Sequence, residues 1–150
     1  MSADIQELLQ SDNWSIADGE TPDGPVVIRF RTPILKGGQT GDFTTLITVA
    51  WIYGEEGSGL MPSPEQSETM ERFEETLFSV WEKSGLAVLT AVLTFDGARQ
   101  WVWYAASFDR CIDLLENLPE ESEPYPIELD TEEDPQWGYL NDEILVGIEL

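Results

Sequence analysis

The residues best suited to chemistry are the carboxylates in the last forty positions. Thirteen acidic residues, and no Lys or Arg, lie after position 110. Most of them form two clusters, the first being Glu120, Glu121 and Glu123 and the second Glu128, Asp130, Glu132, Glu133 and Asp134. Like charges this close together repel one another and destabilise the compact state. The clusters therefore indicate either a solvated, solubilising surface or a surface that recognises a basic partner.

Metal binding and catalysis are further interpretations of the same carboxylates. Their spacing lacks the Asp-x-Asp-x-Asp-Gly loop and the terminal Glu of a calcium-binding EF-hand. The sequence contains no His, so neither Cys111 nor Ser58 has the imidazole base that commonly activates a nucleophile. We therefore predict no catalytic residue, no metal ligand and no cofactor. The alternative is a hydrolase or metal-dependent enzyme of unknown substrate that uses Asp and Glu alone, with two carboxylates flanking a cleft.

Two aromatic residues follow the second cluster closely. Trp137 and Tyr139 are candidates for the buried anchor of an interface, because aromatic residues carry much of the binding energy at such surfaces. For Trp137, as for Trp14, burial in the core is the competing interpretation. The predicted partner-binding set consists of the eight clustered carboxylates together with Trp137 and Tyr139.

The overall charge restricts the class of partner. The chain has 150 residues, thirty of them acidic and seven basic, which gives a net charge of −23. Nucleic acids and anionic membranes would be repelled, whereas a basic protein surface is complementary. A hydrophobic fraction of 41% and six Trp residues predict one packed domain over residues 1–150. The charge pattern does not indicate an oligomeric state.

Three sequence features predict a soluble, cytoplasmic protein. The first ten residues lack the basic and apolar regions of a secretion signal. No apolar run approaches the roughly 20 residues that a membrane-spanning helix needs. The single Cys cannot form an internal disulfide, which agrees with a reducing compartment.

Residues 86–107 predict a hairpin at the centre of the fold. Two apolar runs flank Asp96-Gly97, a dipeptide that adopts positive φ readily and favours a tight turn. Both faces of each run are largely apolar, so we expect these strands in the middle of the sheet.

A long helix is predicted before this hairpin. Ser63, Pro64 and Gln66 form a typical helix start with a capping box, and Gly85 is a typical helix end. Between them, an apolar stripe at three- and four-residue spacing predicts burial in the core, through Met70, Phe73, Leu77, Val80 and Trp81.

The remaining elements are shorter. A helical turn is expected over residues 3–10. It is followed by a weak strand that begins at Trp14 and Ile16 and breaks at Asp18-Gly19. The next strand is expected over 26–31, with Arg29 and Arg31 pointing outward. A strand over 44–53 follows, and after the hairpin Asp109 is expected to cap a second helix that Pro119 stops. Residues 125–130 predict an edge strand, and the apolar residues after position 136 are expected to pack back on the domain.

From position 44 onward the predicted order is β-α-β-β-α-β, which is typical of a ferredoxin-like core. We therefore predict an α+β domain with a mainly antiparallel sheet and two helices on one face. An extra N-terminal strand or hairpin would extend that sheet.

Several short stretches along the chain have a distinctive composition. They are Trp14 with Asp23-Gly24-Pro25, then residues 61–65 (MPSPE), 73–77 (FEETL), 87–89 (AVL), 94–97 (TFDG), 101–104 (WVWY) and 134–139 (DPQWGY). Together they are similar to the motifs of a bacterial family known as domain of unknown function 695. The resemblance implies a small bacterial α+β domain and brings no established catalytic residues. In acidic character and element order, the chain also resembles the acidic protein inhibitors of ribonuclease E at the level of class.

The function favoured by these observations is that of a non-catalytic acidic protein-binding domain. An immunity protein against a toxin, or an inhibitor of a nucleic-acid enzyme, would mask a basic surface in this way.

The charge also predicts a dependence of stability on salt. We expect the melting temperature to rise between low and physiological ionic strength, because salt screens the repulsion among the carboxylates over a Debye length of about 8 Å. Thermal melts at the two salt concentrations measure this effect. A melting temperature that stays flat or falls would mean that the charges already compensate one another.

Overall fold

A six-stranded antiparallel sheet forms the centre of the protein in a computed structural model, which describes residues 5–22, 24–35, 40–55, 61–116 and 127–144. The strands are β1 (Asn13–Thr21), β2 (Gly24–Thr32), β3 (Thr45–Ile52), β4 (Ala87–Phe95), β5 (Ala98–Ala105) and β6 (Ile127–Glu133). They lie in the order β1-β2-β4-β5-β3-β6. The predicted α+β class is confirmed, and β1 and β2 form the extra N-terminal hairpin.

The helices in the described ranges are α1 (Ile5–Gln10), α2 (Pro64–Trp81), α3 (Phe108–Glu116) and a π-helix at Tyr139–Ile144. From β3 onward the elements follow the predicted β-α-β-β-α-β order. None of the helices in these ranges is both long enough and apolar enough to cross a membrane.

The central hairpin forms as predicted, with β4 and β5 in the middle of the sheet. Asp96 and Gly97 both have positive φ, 50° and 82°, as a tight two-residue turn requires. A Cβ on Gly97 would lie 2.7 Å from the carbonyl carbon of Gly54, so the turn has no room for a side chain. The backbone N–H groups of Tyr53 and Gly54 donate to the Gly97 carbonyl, which attaches the turn to the end of β3.

Local signals also determine α2. Ser63 and Gln66 form the predicted reciprocal capping box, and Gly85 follows the helix with a φ of 80°. The apolar stripe is buried through Met70, Phe73, Leu77 and Trp81. Because these side chains pack with the sheet, the predicted assignment of the stripe to the core is confirmed.

Two apolar cores cover the two faces of the sheet. On one, which we call the helical face, α2 and α3 pack against side chains such as Trp101 and Trp103. On the opposite face, α1 and the segment from Trp137 to Ile144 pack against Tyr104 and its neighbours. The predicted return of the apolar C-terminal residues is confirmed for 137–144, whereas residues 145–150 lie outside the described ranges.

The prediction that Arg29 and Arg31 point outward is wrong. Alternation along β2 directs both to the helical face, which is covered, and Arg31 is only 5% exposed. Its guanidinium forms a buried ion pair with Glu82, and Arg29 forms a half-buried pair with Glu74 of α2. The sequence period identified the alternation correctly, but the assumption that one side of β2 faces water was incorrect.

Three element boundaries also differ from the predictions. Strand β1 continues through Asp18 and Gly19, because both pair with β2. Helix α3 begins at Phe108, and its cap is Ser107, whose Oγ accepts a hydrogen bond from the Arg110 N–H at 3.3 Å. Strand β6 is an edge strand as predicted, but it continues to Glu133 because its pairing with β3 extends that far. Residues 117–126, including Pro119 and the first predicted residues of this strand, lie outside the described ranges.

Candidate acidic interface

Strand β6 arranges three of the predicted carboxylates in a row. Glu128, Asp130 and Glu132 alternate along the strand and lie opposite Ala50, Thr48 and Leu46 of β3. Residues at alternate positions of a strand share one face, and each is about 7 Å from the next one on that face. All three carboxylates are exposed on the face opposite α2 and α3.

A groove lies beside this row, and we call it the acidic groove. Its volume is about 290 Å³, and its lining consists of Leu46, Thr48, Gln100, Asp130, Thr131, Glu132 and Tyr139. Asp130 and Glu132 are its charged residues, and no Lys or Arg belongs to the described lining. Side chains of β3, β5 and the π-helix thus meet the carboxylates of β6 in one concave surface.

Tyr139 is the aromatic residue of this groove. Its hydroxyl accepts a hydrogen bond from Gln100 Nε2 at 2.8 Å, which holds the ring beside the sheet. The side chain is half-buried, so part of it is available to a partner. A cationic side chain entering the groove would find two carboxylates for its charge and an apolar surface for its stem, since Lys and Arg bury their stems readily.

Asp134 stabilises a turn of its own chain, which differs from the predicted direct contact with a partner. Its carboxylate accepts hydrogen bonds from the Tyr104 hydroxyl at 2.7 Å and from the backbone N–H groups of Gly138 and Tyr139, at 2.9 and 3.0 Å. Burial raises the pKa of Tyr104 well above its ordinary value, and the bond to Asp134 raises it further. This phenol therefore stays protonated and donates to Asp134, which fixes the turn that carries Tyr139 to the groove.

The prediction that Trp137 anchors a partner is contradicted by its burial. Its side chain is 0% exposed and stacks on Tyr104, with ring centroids 4.3 Å apart and planes inclined by 10°. Its indole Nε1–H donates to the Phe43 carbonyl at 2.8 Å. Trp137 therefore belongs to the core of the opposite face and cannot contact a partner, which leaves Tyr139 as the accessible aromatic residue.

The remaining carboxylates of the predicted site are not part of this row. Glu133 lies on the helical face opposite Thr45, whose hydroxyl donates to its carboxylate at 3.1 Å. Glu120, Glu121 and Glu123 fall outside the described residues. Of the ten predicted site residues, the structure thus brings together Glu128, Asp130, Glu132 and Tyr139.

Sequence reasoning missed the rest of the groove. Leu46 and Thr48 come from β3, and Gln100 comes from β5, so their proximity to β6 depends on strand order. Gln100 could have been noticed in the sequence, because it is a polar residue directly before the apolar run at 101–106.

A comparison with protein families supports the resemblance noted in the sequence. The model of the family described as Family of unknown function (DUF695) matches residues 12–143. The chain belongs to this family. The match includes all six strands and every predicted site residue, whereas α1 precedes it. Comparisons with curated proteins and with solved structures gave no match.

The described residues contain no group of three or more Cys, Asp or Glu side chains arranged to hold a metal ion. The carboxylates that they bring together lie side by side on the exposed face of one strand. What this arrangement can do chemically is to accept charged hydrogen bonds from a cationic surface.

Proposed function

We propose that the protein is a non-catalytic acidic binding domain that masks a basic surface of another protein. An immunity protein against a toxin, or an inhibitor of a nucleic-acid enzyme, is the class of protein that we favour. The observation that carries the proposal is the row of Glu128, Asp130 and Glu132 beside the acidic groove, in which no described residue supplies a neutralising cation.

The geometry supports a division of roles within this surface. Asp130 and Glu132 line the groove, where a Lys or Arg side chain of the partner would be partly removed from water. Charge pairs that lose water on binding mainly slow dissociation, whereas charges at the rim mainly accelerate encounter. We therefore assign Asp130 and Glu132 to holding the complex and Glu128 to steering it.

The test is a triple variant that removes the charge and keeps the shape: Glu128→Gln, Asp130→Asn and Glu132→Gln. The partner is identified by pull-down from the native host and from the neighbouring gene, because an immunity protein is usually encoded beside its toxin. We expect the triple variant to bind the captured partner at least about tenfold more weakly, which corresponds to about 1.4 kcal/mol. Surface plasmon resonance at two salt concentrations separates the association and dissociation rates.

The opposite edge of the sheet offers a matched control. Asp12→Asn, Asp18→Asn and Glu20→Gln remove three exposed carboxylates from β1 and the residue just before it. This control should keep nearly the full affinity. An equal loss from both triple variants would show that only the overall charge matters, and no loss from either would refute electrostatic recognition.

A further inference from the structure

A second groove lies on the helical face, between α2 and strands β1, β2, β4 and β5. Its volume is about 360 Å³, within the range of small-molecule sites. Arg29 and Arg99, two of the seven basic residues of the chain, belong to its lining. Because it differs from the acidic groove in position and in composition, it requires a separate explanation.

Arg99 has unused hydrogen-bonding capacity in this groove. Its Nε donates to Thr94 Oγ1 at 2.9 Å. Within the described ranges, its two terminal nitrogens donate no hydrogen bond, and no carboxylate lies within 4.0 Å to form an ion pair. Burial lowers the pKa of Arg99 somewhat, but an Arg side chain remains charged in proteins. The groove thus contains a partly desolvated cation whose two terminal nitrogens are available as donors.

The second arginine is already compensated. Arg29 Nη2 donates to Glu74 Oε1 at 2.5 Å, and the same oxygen accepts a hydrogen bond from Trp101 Nε1 at 2.8 Å. The Arg29 guanidinium also lies over the Trp14 ring, 4.9 Å from its centroid. These contacts fix Arg29 and Glu74 as part of the wall, so Arg99 is the group that can bind a ligand.

The other lining residues restrict the class of ligand. A guanidinium with two available nitrogens binds a carboxylate or a phosphate in a bidentate geometry. Glu71 and Glu75, one helical turn apart on α2, also line the groove and are exposed. They would repel a phosphate dianion and attract an ammonium group. Ile16, which is 72% exposed, adds apolar surface together with Val27 and Val92.

We propose that this groove binds a small zwitterion of the amino-acid class, with a free carboxylate, a free ammonium and an apolar side chain. The carboxylate pairs with Arg99, the ammonium lies towards Glu71 and Glu75, and the side chain covers the surface formed by Ile16 and Val92. This function is independent of the acidic interface, which lies on the other face of the sheet.

The experiment titrates the full chain with L-leucine and with the dipeptide Leu-Leu, followed by NMR chemical shifts and by calorimetry. Three comparison compounds separate the contributions: leucinamide lacks the carboxylate, 4-methylpentanoate lacks the ammonium, and inorganic phosphate tests a plain anion site. We expect saturable binding of leucine, of the dipeptide or of both, with shifts at Ile16, Thr94 and Arg99. The three comparison compounds should bind more weakly than the better of the two zwitterions.

Arg99→Gln should weaken that binding by about ten- to hundredfold, the loss expected for charge-assisted hydrogen bonds. Arg110→Gln, at an exposed position on α3, is the matched control and should bind like the unchanged chain. If Arg99→Gln fails to fold, Glu71→Gln with Glu75→Gln carries the test, because these exposed changes should abolish the preference for leucine over 4-methylpentanoate. Absence of saturable zwitterion binding, tighter binding of phosphate, or equal binding by the Arg99 variant would each overturn the proposal.

Discussion

Replacing Arg31 by Met is expected to lower the free energy of unfolding by about 3–5 kcal/mol, because it leaves the Glu82 carboxylate buried without its counter-charge. The pair is bidentate, with Nη1 2.5 Å from Oε1 and Nη2 3.2 Å from Oε2. Arg31 also donates from Nε and Nη2 to the carbonyl of Ser11, at 3.0 and 2.8 Å. The substitution therefore also releases the segment that follows α1.

The loss of stability caused by Arg31→Met should depend on pH, and the direction of that dependence follows from the pKa of Glu82. Burial raises the pKa of this carboxyl above its ordinary value, and Arg31 is among the groups that oppose the rise. A group with a raised folded-state pKa stabilises the fold at low pH, and this contribution is lost as the pH rises through that pKa. Without Arg31 the pKa rises further, so the difference between variant and unchanged chain should be largest near neutral pH and shrink towards acid.

Urea unfolding of the Arg31→Met variant at several pH values measures both effects. The matched control is Arg72→Met, since Arg72 and Glu68 form an exposed pair on α2 at 4.0 Å. An exposed pair at this spacing contributes about 0.3–0.5 kcal/mol. Replacing Arg31 and Glu82 together by apolar residues should recover part of the loss, although the Leu89 N–H then loses its acceptor. Equal losses in Arg31→Met and Arg72→Met would contradict a stabilising buried pair.

Trp137→Ala is expected to cost about 3–5 kcal/mol, the usual range for removing a buried aromatic side chain. The change removes the stack on Tyr104 and the hydrogen bond to Phe43, and it leaves a cavity between the π-helix and the sheet. Denaturant unfolding followed by Trp fluorescence and by circular dichroism measures the loss.

The conservative change Trp137→Phe separates the two contributions. Phe retains an aromatic ring against Tyr104 but cannot donate to the Phe43 carbonyl, so it should cost clearly less than Ala. If Trp137→Ala left stability unchanged and impaired only partner binding, the residue would be a surface anchor after all. Its complete burial leads us to expect the reverse.

The parts of the fold that could be predicted from the sequence are those with local signals. The turn at Asp96-Gly97 and the cap at Ser63 each depend on a few adjacent residues, and both were predicted correctly. The pairing of Arg31 with Glu82 joins residues 51 positions apart, and it exists only because α2 covers the face to which Arg31 points. No local pattern reports which face of a strand another element will cover.

The same limit applies to the candidate site. The charge of β6 was evident, but its division between two faces depends on the register with β3, which places Glu132 in the acidic groove and Glu133 on the helical face. Asp134 and Trp137 lie in the same stretch of sequence, yet the half-buried Asp134 accepts a hydrogen bond from Tyr104 and Trp137 stacks on the same ring in the core. Composition alone cannot separate a carboxylate that meets a partner from one that supports a turn.

The edge position of β6 has a further consequence for the behaviour of concentrated solutions. An edge strand presents backbone groups to which a strand of another molecule can add, and charged side chains are a common protection against this. The negative charges of Glu128, Asp130 and Glu132 repel an identical strand at this edge of the sheet. At the isoelectric point of about 4.1, the net charge that keeps copies of the chain apart in solution is zero. Self-association should therefore increase as the pH approaches this value, and the unpaired edge of β6 is a place where strands can add.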